Sequence, residues 1–284
     1  MRFLVTGAGG MLGQDLVDVL GASGAGVTAV TRSELDITDA GAVARAVPGH
    51  DVVVNAAAWT DVDGAEEHEE AATRVNGLGA RLLAAACAAE GARMVHVSTD
   101  YVFDGSASEP YPEDAPLAPR SAYGRSKAAG EIAVRALLPA ASYVVRTSWL
   151  YGEHGSNFVR TMVNLEASRD VLDVVDDQLG QPTWSRDVAA TIVALVRSGA
   201  PSGTYHATSQ GQVSWHGLAR AVFEQLGADP ARVRPTTTDR FPRPAPRPAY
   251  SVLGHGAWER AHVAPIGPWR ERLAAAFPTL RGAS

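Results

Sequence analysis

The chain has 284 residues, a formal net charge of −6 and a hydrophobic fraction of 46%. The acidic balance offers nucleic acid no basic face, and no apolar run approaches the ~20 residues of a membrane span. A single cysteine, Cys87, rules out a disulfide within the chain and, set in an Ala-rich helical run, reads as a small core residue.

Met1-Arg-Phe-Leu-Val5 runs directly into a strand, so no signal peptide and a cytoplasmic location are expected. Residues 3–6 read as a buried strand, followed by Gly7-Ala-Gly-Gly-Met-Leu-Gly13 and then by helical apolar spacing over 14–20. Strand, glycine turn and helix form a pyrophosphate cradle, because the helix start has free N–H groups and glycine lets the backbone approach. The spacing is G-x-x-G-x-x-G, with Leu12 where the stricter G-x-G-x-x-G motif needs its last glycine. A second strand, residues 27–31, ends in Thr31-Arg32-Ser33, where an acid often holds the adenine ribose. Arg32 there either pairs with a 2′-phosphate, favouring NADPH over NADH, or is an ordinary surface cation. Asp39 is placed to cap the next helix.

Residues 51–58 read as a third buried strand that runs into Ala56, Ala57 and Ala58, small residues that leave room for a ligand. Glu66-Glu-His-Glu-Glu70 opens a helix that is expected to reach about residue 90 and contains Arg74-Val-Asn76. A fourth strand, 93–100, ends in Ser98-Thr99-Asp100, on the sheet edge that carries the glycine turn. A Pro-rich loop over 106–120 delivers the chain to Ser121-Ala-Tyr123-Gly-Arg-Ser-Lys127.

Tyr123 and Lys127 lie four residues apart, on one face of a helix. A phenol titrates near 10, and a neighbouring ammonium is expected to draw that value down toward the working range. That pair is the acid–base centre a carbonyl reductase needs. Lys127 is the chain's only lysine among 25 basic residues. A compact, titratable ammonium is used here and arginine everywhere else.

A fifth strand over 142–149 completes the alternation of strands and helices, which implies a parallel, doubly wound α/β sheet. Beyond residue 152 come an expected helix (157–166), strand (171–175), turn (181–183), helix (186–196), strand (205–208), a helix capped by Ser214, and a last helix over 269–277. Between them, Arg240-Phe-Pro-Arg-Pro-Ala-Pro-Arg-Pro248 is either a stiff extended loop or a place where three arginines meet a diphosphate. The eight histidines show no metal-ligand spacing, and neither a hydrolase nucleophile elbow nor a Walker loop is present.

In combination these motifs resemble the extended short-chain dehydrogenase/reductase superfamily, and in detail the dTDP-4-dehydrorhamnose reductases. The finer match rests on Asn55-Ala-Ala-Ala-Trp-Thr-Asp-Val-Asp63, Val97-Ser-Thr-Asp-Tyr-Val-Phe-Asp-Gly105, Arg146-Thr-Ser-Trp-Leu-Tyr-Gly152, Val175-Asp-Asp-Gln-Leu-Gly-Gln-Pro-Thr183 and Arg247-Pro-Ala-Tyr-Ser-Val-Leu253. The resemblance implies a Rossmann domain over 1–152. It implies a smaller, mainly substrate-binding α/β domain over 153–284, some of whose segments return to the first. It further implies reduction of the C4 ketone of a dTDP-6-deoxy sugar by NADPH or NADH.

By the same resemblance Tyr123 is the proton donor, and Lys127 binds the nicotinamide ribose and lowers the phenol's pKa. Thr99 holds the sugar near its reacting oxygen, with Asp100 beside it. Gly10, Met11 and Leu12, between Gly7 and Gly13, contact the pyrophosphate. Asp36 and Ile37 flank the adenine, Ala56 to Ala58 line the cofactor cleft, and Trp149 touches the sugar. The second acid of sugar dehydratases is missing, because Tyr101 follows Asp100. The 4-epimerases have different strand ends. Trp59 stands where the family often has Tyr. Some members bind Mg²⁺ through acids at a dimer interface; here Asp15 is a partial match and Arg186 or Asp187 stands at the second place, which leaves monomer or homodimer open. A related dTDP-ketosugar of antibiotic biosynthesis, or a regulatory subunit that binds cofactor without turnover, remains as an alternative.

Overall fold

The computed structural model describes residues 1–282. A six-stranded, wholly parallel sheet lies at its centre. In chain order, β1 (Arg2–Thr6) leads to α1 (Met11–Ala22), β2 (Gly26–Val30), α2 (Ala40–Ala46) and β3 (Val52–Asn55). The long helix expected after the third strand is broken into α3 (Gly64–Glu67), α4 (Glu69–Thr73), a π-helical stretch (Arg74–Gly79) and α5 (Ala80–Glu90). Then follow β4 (Arg93–Thr99), a 3₁₀ turn (Asp100–Val102), α6 (Ala122–Leu137) and β5 (Ser142–Thr147).

The strand order is β10 (Gly203–His206), β5, β4, β3, β1, β2. The chain moves outward from β1 to β2, then crosses back to β3 on the other side. That reversal opens a crevice at the strands' C-terminal ends, where open α/β sheets bind ligands. The sixth strand, β10, comes from the second half of the chain, after β6 (Leu150–Tyr151), α7 (Phe158–Glu166), β7 (Leu172–Val175), β8 (Leu179–Gly180), β9 (Thr183–Trp184) and α8 (Ser185–Ser198). β10 spans Gly203–His206, the expected four-residue strand shifted two residues toward the N-terminus. The remaining elements are β11 (Val213–Ser214), α9 (Trp215–Leu226), β12 (Val233–Thr236), α10 (Gly256–Ala261) and α11 (Trp269–Gly282).

Alternation along β1 divides the core. Phe3 and Val5 face a cluster shared with Leu16 and Leu20 of α1, Val188 and Ile192 of α8, and Trp258 of α10. Leu4 points the other way, toward Leu83, Cys87 and Val134 of α5 and α6. This is the period-two geometry of a strand covered on both faces. A separate core joins Met162 of α7, Leu218 and Phe223 of α9, and Leu273 and Phe277 of α11. The two-stranded β7–β12 ribbon is parallel, β8–β11 is antiparallel, and the short β6–β9 pair is parallel. The proline-rich segment 240–248 is tied to Asp63, whose carboxylate accepts from the Ala245 N–H and the Arg247 guanidinium. Asp39 and Ser214 cap their helices as expected, accepting from the N–H groups of Ala42 and Gly217.

Candidate active site

One cleft of about 1410 Å³ lies along the C-terminal edge of the sheet. It exceeds the roughly 300–1,000 Å³ of single-ligand pockets, which suits two ligands meeting end to end. Gly7, Gly10, Met11, Leu12, Gly13, Arg32, Ile37, Ala56, Ala57 and Ala58 line its cofactor side. Gly7 has φ +72, and a Cβ there would come within 2.6 Å of the Ala57 backbone nitrogen, so only glycine lets the turn press against the end of β3. Gly10 is the N-cap of α1, and the first N–H groups of that helix open onto the cleft. These groups fit the diphosphate of a dinucleotide.

Arg32 is exposed at the cleft wall and has no hydrogen-bonded or ion-paired carboxylate among the described residues. The acid nearest in sequence, Glu34, is occupied by the turn, accepting from the Thr31 N–H and hydroxyl at 2.8 Å each. Asp36 departs from expectation. Its carboxylate accepts from the Thr38 N–H (2.9 Å) and hydroxyl (2.8 Å), which holds its pKa down, and it does not line the cleft, whereas Ile37 does.

The ledge 56–59 is fixed by a residue whose role the sequence did not disclose. Buried Asn76 accepts from the Trp59 N–H (2.8 Å) and donates to the Trp59 carbonyl (3.1 Å) and the Ser126 hydroxyl (2.8 Å). It sits in the π-helical stretch, a distortion frequent at functional sites. A lone amide in an Ala-rich helical run was the only signal available.

The middle of the cleft holds Thr99, Asp100, Tyr123 and Lys127, brought together by β4 and α6. Ser121 caps α6, accepting from the Gly124 N–H at 3.0 Å. A Cβ on Gly124 would lie 2.2 Å from the Tyr101 carbonyl, so glycine is what lets the helix start close on the 3₁₀ turn. The Tyr101 and Tyr123 rings consequently meet edge to face at 5.6 Å. The Thr99 hydroxyl donates to Asp100 Oδ1 at 2.9 Å and accepts from the Tyr101 N–H at 3.2 Å.

Burial pushes the Tyr123 phenol up to about 12; a hydrogen bond with Thr99 lowers it and the Asp100 charge raises it. The downward pull expected from Lys127 is not among those causes. The Lys127 ammonium is buried, donates to the Val97 carbonyl at 2.6 Å and is itself brought down to about 8 by burial, while Glu131 raises it. Desolvation is the largest cause of both shifts. Asp100, only 3% exposed, is raised to about 6 by burial, which outweighs the lowering effect of hydrogen bonds from Ser251 and Thr99.

The far wall carries Trp149, Trp215 and Phe158. The fifth strand stops at Thr147, short of the expected 149, and Trp149 takes φ 46, a left-handed conformation that bulky residues rarely adopt. Its ring stacks on Trp215, 3.5 Å between centroids and 7° between planes. Trp215 was not singled out from sequence, because it meets Trp149 only through the fold. Segment 240–248 closes this side with Phe241, Arg243 and Arg247. Arg247 donates to Asp63 Oδ2 at 2.8 Å, the Ala245 N–H to Oδ1 at 3.2 Å, and Arg243 stands 3.8 Å from the same carboxylate.

The acids weighed for an interface Mg²⁺ have other partners. Asp15 is buried and accepts from the Ser185 hydroxyl at 2.5 Å, Asp187 is held bidentately by Arg272 (2.7 and 2.8 Å), and Arg186 is exposed beside it. Among the described residues no three His, Cys, Asp or Glu side chains form a group able to hold a metal.

The chain matches the family described as the RmlD substrate binding domain over residues 1–281. It is 55% identical to a dTDP-4-keto-6-deoxy-D-glucose reductase of Streptomyces niveus, covering 98% of this chain and 97% of that one. It is 53% identical to a dTDP-4-dehydrorhamnose reductase of Streptomyces griseus, covering 99% and 94%. The structure of a dTDP-4-dehydrorhamnose reductase from Bacillus anthracis in complex with NADP superposes with a TM-score of 0.94 at 36% identity, over 98% of each chain. A parallel sheet with a glycine turn at its switch point, a Thr-Tyr-Lys wall and full-length likeness to these enzymes place the chain in the dTDP-4-dehydrorhamnose reductase family of oxidoreductases.

Proposed function

We propose that the chain reduces the C4 ketone of a dTDP-4-dehydro-6-deoxy sugar with NADPH, converting dTDP-4-dehydro-L-rhamnose to dTDP-L-rhamnose. Residues 1–152 hold the cofactor, and residues from 153–284 supply most of the sugar site. The observation that carries this reading is the juxtaposition of Thr99, Tyr123 and Lys127 on the cleft wall beside the glycine turn. A bound reduced nicotinamide supplies the hydride.

Tyr123 supplies the proton to the carbonyl oxygen. A phenol held at about 12 stays protonated at neutral pH, which suits a donor rather than a base. The Thr99 hydroxyl orients the same oxygen. Lys127 has three donors and uses one on Val97, leaving two for the hydroxyls of the nicotinamide ribose. Trp149 and the Trp215 ring behind it form an apolar wall for the deoxysugar. The Arg32 guanidinium is available for a 2′-phosphate, and NADH is accepted less well.

The Streptomyces niveus relative favours a second reading, in which the substrate is a related dTDP-ketosugar of another deoxysugar route. Loss of NADPH absorbance with dTDP-4-dehydro-6-deoxyhexose isomers separates the two, with and without the epimerase that interconverts them. Turnover only with the epimerase present, and dTDP-L-rhamnose identified by NMR, supports the first. Turnover on the unepimerised sugar supports the second. Tight NADPH binding with no turnover would return the chain to the regulatory reading.

A further inference from the structure

Segment 240–248, which closes one side of the cleft, leaves from and returns to a single short stretch, residues 177–180. At its start the Asp177 carboxylate accepts from the Thr238 N–H (3.0 Å) and hydroxyl (2.6 Å), and Gln178 Nε2 donates to the same hydroxyl at 2.9 Å. At its end the Leu179 N–H donates to the Ala249 carbonyl and the Ser251 N–H to the Leu179 carbonyl, each at 2.8 Å. Phe241, Arg243 and Arg247 lie between these anchors and line the cleft. Gly180 packs on the Trp149 ring, which a Cβ there would approach to 2.4 Å.

Gln178, 8% exposed, joins this loop to the aromatic wall. An indole N–H only donates, so Trp215 Nε1, at 3.1 Å, faces the amide oxygen. The amide nitrogen is thereby turned to Thr238, whose hydroxyl gives its own proton to Asp177 and has a lone pair to offer. Donor and acceptor chemistry thus fixes the direction of every bond from the indole to the loop. Trp215 is the first residue of α9, and its ring stacks on Trp149. Trp149 holds φ 46, a conformation that persists for a bulky residue only where its surroundings impose it. Gly180 and Trp215 are those surroundings.

We propose that Gln178 is a positioning residue for the ketosugar. It locks Trp215, and through it Trp149, to the base of the loop that carries Phe241, Arg243 and Arg247, so that sugar wall and loop are set as one unit. This deepens the reductase reading above and rests on it. Both ends of the amide are engaged within the chain, so Gln178 acts through Trp215 and Thr238 and not by touching substrate. The glycine turn and Arg32 take no part in this chain of bonds, so cofactor binding should not feel its loss.

The test compares the wild type with Gln178→Leu, which removes both bonds at similar size, with Trp215→Phe, which keeps a ring and removes the N–H, and with the double variant. In Gln178→Leu the KM for the ketosugar should rise about tenfold, as loss of two side-chain hydrogen bonds implies, while the KM for NADPH is unchanged. NADPH binding confirms that each variant is folded. Two further readouts need no substrate. The exciton signal of the stacked indoles in circular dichroism should weaken in Gln178→Leu, and the Phe241 amide, which donates to the Thr238 carbonyl at 3.0 Å, should exchange faster. Since the two substitutions remove the same bond, the double variant should be little worse than the worse single one. A ketosugar KM that stays put, or that moves together with the KM for NADPH, overturns the positioning role. So do additive effects, or an indole signal and an exchange rate like those of the wild type. A wild-type protein that reduces no ketosugar refutes the reductase reading instead, and the indole signal and the exchange then decide by themselves whether Gln178 ties the wall to the loop.

Discussion

Glu131 and Asp100 are both buried carboxylates close to the catalytic helix, and the protein treats them in opposite ways. Glu131 lies one turn beyond Lys127 on α6, and both it and Arg146 are 1% exposed. Arg146 donates through Nε at 2.9 Å and Nη2 at 2.8 Å, and the Ser98 hydroxyl adds a third bond at 2.5 Å. Arg146 also reaches the Glu113 carbonyl and the Phe103 ring, so this charge ties α6, β5 and the loop at 113 together. Asp100 has no cation among the described residues, only hydroxyl partners, with Thr99 donating at 2.9 Å. A buried carboxylate tied to its own cation can stay charged, whereas one without a cation is pushed toward its neutral form.

Breaking the satisfied pair should have the largest effect. Arg146→Met leaves Glu131 buried without its cation and should cost about 3–5 kcal/mol in urea unfolding. Adding Glu131→Met should recover most of that loss; a double variant as unstable as the single one would contradict the desolvation argument. The unpaired acid should behave oppositely. Its folded pKa, about 6, lies above the ordinary carboxylate value. The stability it contributes is therefore present below the unfolded value and is lost as pH rises through about 6. Asp100→Asn should stabilise the fold at neutral pH by roughly 3 kcal/mol at most and leave it unchanged in acid. Thermal unfolding at the two pH values reads the difference.

The same contrast recurs at the cleft's ends with smaller effects. Asp36 is spent on Thr38, whereas Arg32 faces the cleft. Arg32→Ala should raise KM for NADPH about tenfold or more, as loss of a charge-assisted bond implies, and should barely change KM for NADH. Equal effects on the two cofactors would remove the 2′-phosphate role. Asp63 clasps Arg247 in a part-exposed pair. Asp63→Ala should change stability by no more than about 1 kcal/mol, yet free the Ala245 amide to exchange faster. Unchanged exchange would show that the prolines hold the segment alone.

Local patterns made the centre of the site legible in the sequence. A glycine turn after a buried strand, a Tyr and Lys one helical turn apart and hydroxyls at a strand end each declare themselves within a few residues, and Gly7, Thr99, Tyr123 and Lys127 all line one cleft. Relations between distant segments were not legible. The grip of Asn76 on Trp59, the Trp149–Trp215 stack and the Glu131–Arg146 tie depend on which elements the sheet places side by side. Burial raises the Tyr123 phenol where the spacing to Lys127 suggested a lowering, since helical spacing carries no information about burial. Asp36 followed its neighbour Thr38 in a local turn that competes with any ligand.

The most direct test of the central claim is NADPH oxidation by the wild-type protein and by Tyr123→Phe with a dTDP-4-dehydro-6-deoxyhexose. The wild type should turn over, and the variant should bind NADPH equally well yet lose about 10²–10⁴-fold in kcat, the usual contribution of a proton donor. A variant that reduces the sugar as fast as the wild type would contradict the assignment of Tyr123 and the mechanism built on it.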